Sequence, residues 1–200
     1  MEVHVCNFNE LKSLNIDDCD YVNTTSQSKD WSKGLSPFFL GPCKLYGDFV
    51  SQNVENAWQH SKVYEEHMDG DAISSRYWEW AEKGWADTWA HRYPMGKGAI
   101  PKFSFWNGDR LGYIDARKRI YIPLYRNAVI AVMAWRLLKQ KYDAYKKMNR
   151  DLYLVDFDAY MHKKIGMSYD NVVNNEKKKM GHAFVLAMAL ECPEYLDKFE

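Results

Sequence analysis

Residues 183–190 read Ala-Phe-Val-Leu-Ala-Met-Ala-Leu and are apolar on nearly every side of a helix. A helix without a polar stripe has to be covered all round, so this run predicts a central buried helix with the rest of the chain layered about it. It is far shorter than the roughly 20 residues needed to span a bilayer. The first residues, MEVHVCNFNELKSL, lack the cationic start and apolar stretch of a signal peptide. The expectation is a soluble, cytoplasmic protein. Its 200 residues suit one domain spanning 1–200.

Short strands and several helices are expected around that centre. Tyr21-Val22 reads as a strand entering a hydroxyl-rich loop, and residues 44–50 as a strand broken at Gly47. Residues 51–68 and 72–91 read as helices, the second with a core stripe of Trp78, Ala81, Trp85 and Trp89 and a kink at Gly84. Residues 103–106 and 111–114 flank Asn107-Gly108, the signature of a tight hairpin. Pro123 suits the first turn of one long helix reaching about residue 148, with Ala128, Val132, Trp135 and Leu138 on its core face. A strand over 152–157, a turn or short helix over 158–164 closed by Gly166, and a last helix within 170–191 complete the chain. The fold class predicted is α+β, predominantly α-helical, with a few short strands.

Charge and cysteine usage narrow the function. Lys plus Arg and Asp plus Glu both number 27, so a bulk electrostatic grip on nucleic acid is not indicated. Cys6, Cys19, Cys43 and Cys192 are scattered without Cys-x-x-Cys spacing, which reads as reduced thiols rather than a zinc cage or a disulfide framework. His60 and His67 share a helical face without a third ligand, so no metal is expected. Eight Trp and fourteen Tyr are many for this length, and such rings suit pockets for flat ligands as well as cores.

The chemistry-bearing stretch is 51–68. Glu55, Gln59 and Lys62 stand at i, i+4 and i+7, an acid, an amide and an amine on one helical face. Val54, Trp58 and Ser61 form the adjoining buried edge. The turn-rich apolar segment 34–42 lies just upstream, so the two together read either as a pocket wall or as an ordinary surface helix, the reading that spacing alone favours. Gly96-Lys97-Gly98 suits close approach to a phosphate but lacks P-loop spacing.

Four blocks, in one order, resemble those of the NADAR superfamily of YbiA-like N-glycosidases. They are Leu35-Ser36-Pro37-Phe38 with the helix from Glu55 to Lys62; Ala116-Arg117-Lys118-Arg119 running through Arg126; Asp158-Ala159-Tyr160-Met161-His162; and Lys179-Met180-Gly181-His182 opening the last helix. The resemblance covers a core of about 20–192. It implies hydrolysis of the N-glycosidic bond of a ribosylated base or nucleotide, such as ADP-ribosylated guanine, without a cofactor. Glu55 would be the first carboxylate and Asp158 or Asp156 the second. Tyr121 or Tyr125 lies nearest the family's catalytic tryptophan. The base would stack on Tyr121, Tyr125, Phe38 or Trp58, and Lys62, Arg117, Lys118 and Arg126 would hold phosphate. Gln59, Gly181 and His182 would complete the ligand wall, although by themselves Gly181 reads as a close-packing residue and His182 as a satisfied buried histidine. The implied partner is a small nucleotide or an ADP-ribosylated nucleic acid, with no membrane. Two departures stand out: Met161-His162 replace the family's Trp-Gly, and 72–114 has no counterpart. Rival readings are a non-catalytic ADP-ribose or nucleotide binder and a helical protein-interaction module.

Overall fold

The structure, a computed structural model, describes residues 1–14, 16–17 and 20–199. Cys19 lies outside them. In chain order the principal elements are strands β1 (Val3–Cys6) and β2 (Tyr21–Asn23), helices α1 (Val54–Gln59) and α2 (Ser75–Ala86), strands β3 (Phe103–Trp106) and β4 (Asp109–Leu111), helices α3 (Ile122–Val129) and α4 (Met133–Met148), strand β5 (Leu152–Val155) and helix α5 (His182–Glu191).

Helix α5 is the predicted centre. Ala183 through Met188 are each 0% exposed, and α5 lies against α3, β1 and β5. The three parallel strands run in the order β1-β5-β2, with Val3 opposite Leu152 and Val22 opposite Leu154. Val3, Val5, Leu152 and Leu154 turn their side chains into the α5 core. The fold is α+β, as the sequence indicates.

A second apolar cluster is built by the aromatic segment. Tyr77, Ala81 and Trp85 of α2 pack with Val63 and Met68, and Phe103 and Phe105 of β3 close over them. The β3–β4 hairpin turns at Asn107 (φ 47) and Gly108 (φ 93), as the Asn-Gly pair requires. The Trp stripe ends early. Trp89 is 79% exposed because α2 stops at Ala86. Gly84 marks a close approach rather than a kink, since a Cβ there would meet the His60 ring at 2.1 Å.

Two helices differ from expectation. The 51–68 helix is real only over α1, capped by Asn53 Oδ1, which accepts from Asn56 N–H at 2.8 Å. Lys62 and Val63 instead pair antiparallel with Ser104 and Phe103, so sheet pairing overrides the helical pattern. The long helix begins earlier and breaks. A short helix (Tyr113–Ala116) leads into a wide π turn (Arg117–Tyr121) that runs into α3, and residues 130–132 separate α3 from α4. Pro123 has no N–H and its ring crowds the carbonyl four residues back; the wide turn, closed by Ile122 N–H to Arg117 O, relieves that crowding.

Burial also sets an acid limit. His60 and His162 are 3% and 1% exposed, and burial lowers both to about 4. Both are therefore neutral in the folded protein but protonate near their ordinary value when it unfolds. Their contribution is present above about 6.5 and is lost as pH falls toward 4, by up to about 1.4 kcal/mol per pH unit for each group. Denaturant midpoints are expected to drop between pH 7 and pH 5. A His60→Gln variant should show a shallower drop, and a wild-type midpoint unchanged over that range would contradict this account.

Candidate functional site

At the carboxyl ends of β2 and β5, where ligands gather in open parallel sheets, the chain encloses a cavity of about 540 Å³. Asp156 and Asp158 follow β5, and Thr25 and Ser26 follow β2. Helix α1 supplies Glu55, Trp58 and Gln59, the π turn supplies Arg117 and Tyr121, and the start of α5 supplies Gly181 and His182. Phe38 and Lys62 also line it. The widely separated residues of the four blocks thus meet around one space.

The α1 wall is a relay of hydrogen bonds. Gln59 Nε2 donates to Glu55 Oε1 at 2.9 Å, and Lys62 Nζ donates to Gln59 Oε1 at 2.7 Å. The i, i+4, i+7 relation therefore survives although Lys62 lies on a strand. Glu55 is 6% exposed; burial raises its pKa against the opposing influence of Gln59, Lys62 and Arg92. Burial lowers Lys62 to about 8, against the attraction of Glu55. The ammonium stands 4.8 Å from the Trp58 ring centroid, and Trp58 meets Tyr121 at 5.3 Å. Burial, then the neighbouring Asp156 and Glu55, raises Tyr121 well above its ordinary value, so its hydroxyl stays a proton donor.

The floor is an ion pair. His182 Nδ1 lies 3.0 Å from Asp156 Oδ2, and Nε2 lies 2.8 Å from Thr24 O. Both ring nitrogens face acceptors, which fits an imidazolium. Burial opposes both charges, yet each partner's charge and hydrogen bonds outweigh it: Asp156 is lowered and His182 raised. The N–H groups of Phe157 and Ala183 also donate to Asp156, at 2.7 and 3.3 Å.

Gly181 makes that floor sterically feasible. A Cβ there would lie 2.1 Å from Asp156 Oδ2. Gly181→Ala is expected to push the carboxylate off His182, costing about 1–3 kcal/mol. The His182 resonance should then titrate at lower pH by NMR. An unshifted titration would show that the pair tolerates the methyl.

Three anticipated ligand residues lie elsewhere. Tyr125 is fully buried, its hydroxyl donating to Leu35 O at 2.6 Å. Arg126 donates to Asp197 at 2.7 Å. Lys118 faces a separate shallow depression beside Asp170 and Lys198. The π turn causes this, because its extra residue rotates the following side chains relative to a 3.6-residue reading. Arg117 lines the cavity, but its guanidinium donates to the carbonyls of Val172, Val173, Asn175 and Lys178, at 2.9, 2.9, 3.2 and 3.1 Å. It ties down the loop before α5.

The cavity also contains Arg92 and Tyr93, which the sequence reading passed over, and it gathers Lys179 with the glycines of Gly96-Lys97-Gly98. Arg92 Nη2 donates to Asp158 Oδ2 at 2.9 Å, and Lys179 Nζ lies 3.8 Å from Oδ1. Tyr93, Gly96, Gly98 and Lys177 line the mouth. A cluster of basic and aromatic residues just beyond a helix end was the available signal. In all, six basic side chains face four carboxyls there, in a chain of zero net charge.

Among the described residues, no group of three or more His, Cys, Asp or Glu side chains is placed to hold a metal ion. No helix among them is long and apolar enough to cross a membrane. No curated protein and no solved structure matches the chain. Residues 8–185 match the profile of a family of unknown function, DUF6939, and the chain belongs to that family.

Proposed function

We propose that the cavity hydrolyses the N-glycosidic bond of a ribosylated base or nucleotide, in the manner of the NADAR-type enzymes that the sequence resembles. The observation that carries this reading is the meeting of Glu55, Asp156 and Tyr121 around one enclosed space. The volume suits a nucleotide-sized ligand, and the excess of basic groups suits a phosphorylated one.

In this reading a water oxygen forms the new bond to the anomeric carbon, and Glu55 takes the water's proton. Burial strengthens Glu55 as a base. The C–N bond breaks with its electron pair on the base, which takes the balancing proton from solvent. Asp156 is the better second carboxylate. His182 keeps it anionic, so it faces the positive charge developing on the sugar. Asp158 is instead 33% exposed beside Arg92 at the mouth, whereas Asp156 is buried beneath the cavity. Phe38, Trp58 and Tyr121 offer faces for the departing base. A purely ligand-binding role is the second reading. It is favoured by His162, which stands where the family has Trp-Gly and is buried at 1% exposure outside the cavity.

Incubation with ADP-ribosylated guanosine, followed by chromatography of the released nucleoside and ADP-ribose, distinguishes the two. Hydrolysis predicts stoichiometric release of guanosine and ADP-ribose by the wild type. Tight binding without release would leave the binding role alone.

A further inference from the structure

We propose that Arg92 and Lys179 form a phosphate subsite at the cavity mouth, that Asp158 is its resident counter-ion, and that Asn56 positions Arg92. This deepens the reading above, on which it rests for the identity of the ligand.

Arg92 and Lys179 come from separate segments, 87–101 and 174–180, and converge on one carboxylate, at 2.9 and 3.8 Å. One carboxylate between two cations leaves a surplus positive charge at the opening. The Arg92 guanidinium lies near two rings, 5.4 Å from the Tyr93 centroid and 5.3 Å from that of Phe157. Such packing restrains its planar fork, which suits bidentate contact with phosphate. Asp158 is 33% exposed, and ion pairs this accessible contribute little, so a phosphate with more charge and more acceptor oxygens can displace it.

The placement of Arg92 is built in. Segment 87–101 has neither helix nor strand, yet its start is fastened by two side chains, Asn53, whose Nδ2 donates to Thr88 O at 3.4 Å, and chiefly Asn56. Asn56 is 0% exposed; its Nδ2 donates to Asp87 O at 3.0 Å and Trp89 O at 2.7 Å, and its Oδ1 accepts from His91 N–H at 2.8 Å. Asn56 adjoins Glu55 on α1, so one short helix both presents the proposed base and holds the segment that would grip the far end of the ligand. The ligand class is therefore a nucleoside diphosphate, with its phosphates at the mouth and its sugar toward Glu55.

Calorimetric titration with ADP and with adenosine tests this. Wild-type protein should bind ADP at least roughly tenfold more tightly than adenosine, the scale of one hydrogen bond to a charged group. Arg92→Ala and Lys179→Ala should each shrink that preference, and Asp158→Asn should enlarge it, with adenosine binding unchanged. Asn56→Ala should shrink it as well, but add nothing in the Arg92→Ala background, whereas a merely structural role would weaken both ligands. Equal binding of ADP and adenosine by the wild type, or weaker ADP binding by Asp158→Asn, would overturn the subsite. ADP selectivity without base release would leave the subsite standing and remove the glycosidase. Base release with a KM indifferent to Arg92→Ala would do the reverse.

Discussion

Glu55→Gln is expected to lower turnover of a ribosylated-base substrate by about a thousandfold, the usual scale of a lost general base. An amide cannot take the proton of the attacking water, yet it keeps the shape of the side chain. Gln59 Nε2 can still donate to the retained oxygen, so α1 should hold its place. The stability effect has a definite sign. Burial raises the Glu55 pKa in the folded protein, so its stabilising share is complete at low pH and is lost as pH rises through the folded value. The neutral variant should thus melt no lower than wild type near pH 7, and the two should converge in acid. Lys62 responds too. It is held at about 8 with Glu55 supporting its charge. Ligand affinity should fall as pH rises through that value, and Glu55→Gln should move the fall to lower pH. Wild-type turnover by the folded variant would remove Glu55 from the chemistry.

Arg117→Met should be the most damaging single change to the fold around the site. Its guanidinium is 2% exposed and serves four carbonyls between residues 172 and 178. Methionine replaces much of the stem but none of the donors, leaving the carbonyl of buried Val173 without its guanidinium partner. The cost expected is about 3–5 kcal/mol, read as a lowered denaturant midpoint. Arg117→Lys should recover only part of it, because an ammonium lacks the planar fork. Since this loop leads into Gly181, the surviving folded fraction should also bind ligand less well. A loss below about 1 kcal/mol would mean that these carbonyls find other partners.

These cases show what the sequence made legible. The all-round apolarity of 183–190 identified the centre of the fold, because nothing but burial accommodates it. Glu55, Gln59 and Lys62 were legible as a group, although Lys62 reaches Gln59 from a strand pairing that no local pattern announces. Asp156 and Asp158 were legible as alternatives. What separates them, the His182 partner of one and the Arg92 partner of the other, comes from residues 26 and 66 positions away along the chain. Tyr125 and Arg126 were misplaced for a local reason, the π turn before them. Arg92 was missed because it sits in an irregular segment, where no periodicity reports on direction. Arg117 was read as a phosphate ligand because its charge is visible in sequence and its four carbonyl partners are not.

The most direct test is a crystal structure of the Glu55→Gln protein with uncleaved ADP-ribosylated guanosine. The account predicts the anomeric carbon inside the cavity, with a water between it and residue 55 at hydrogen-bond distance, about 3 Å, Asp156 beside the sugar, and the diphosphate at Arg92 and Lys179. A ligand bound outside the cavity, or one whose sugar lies away from residue 55, would contradict it.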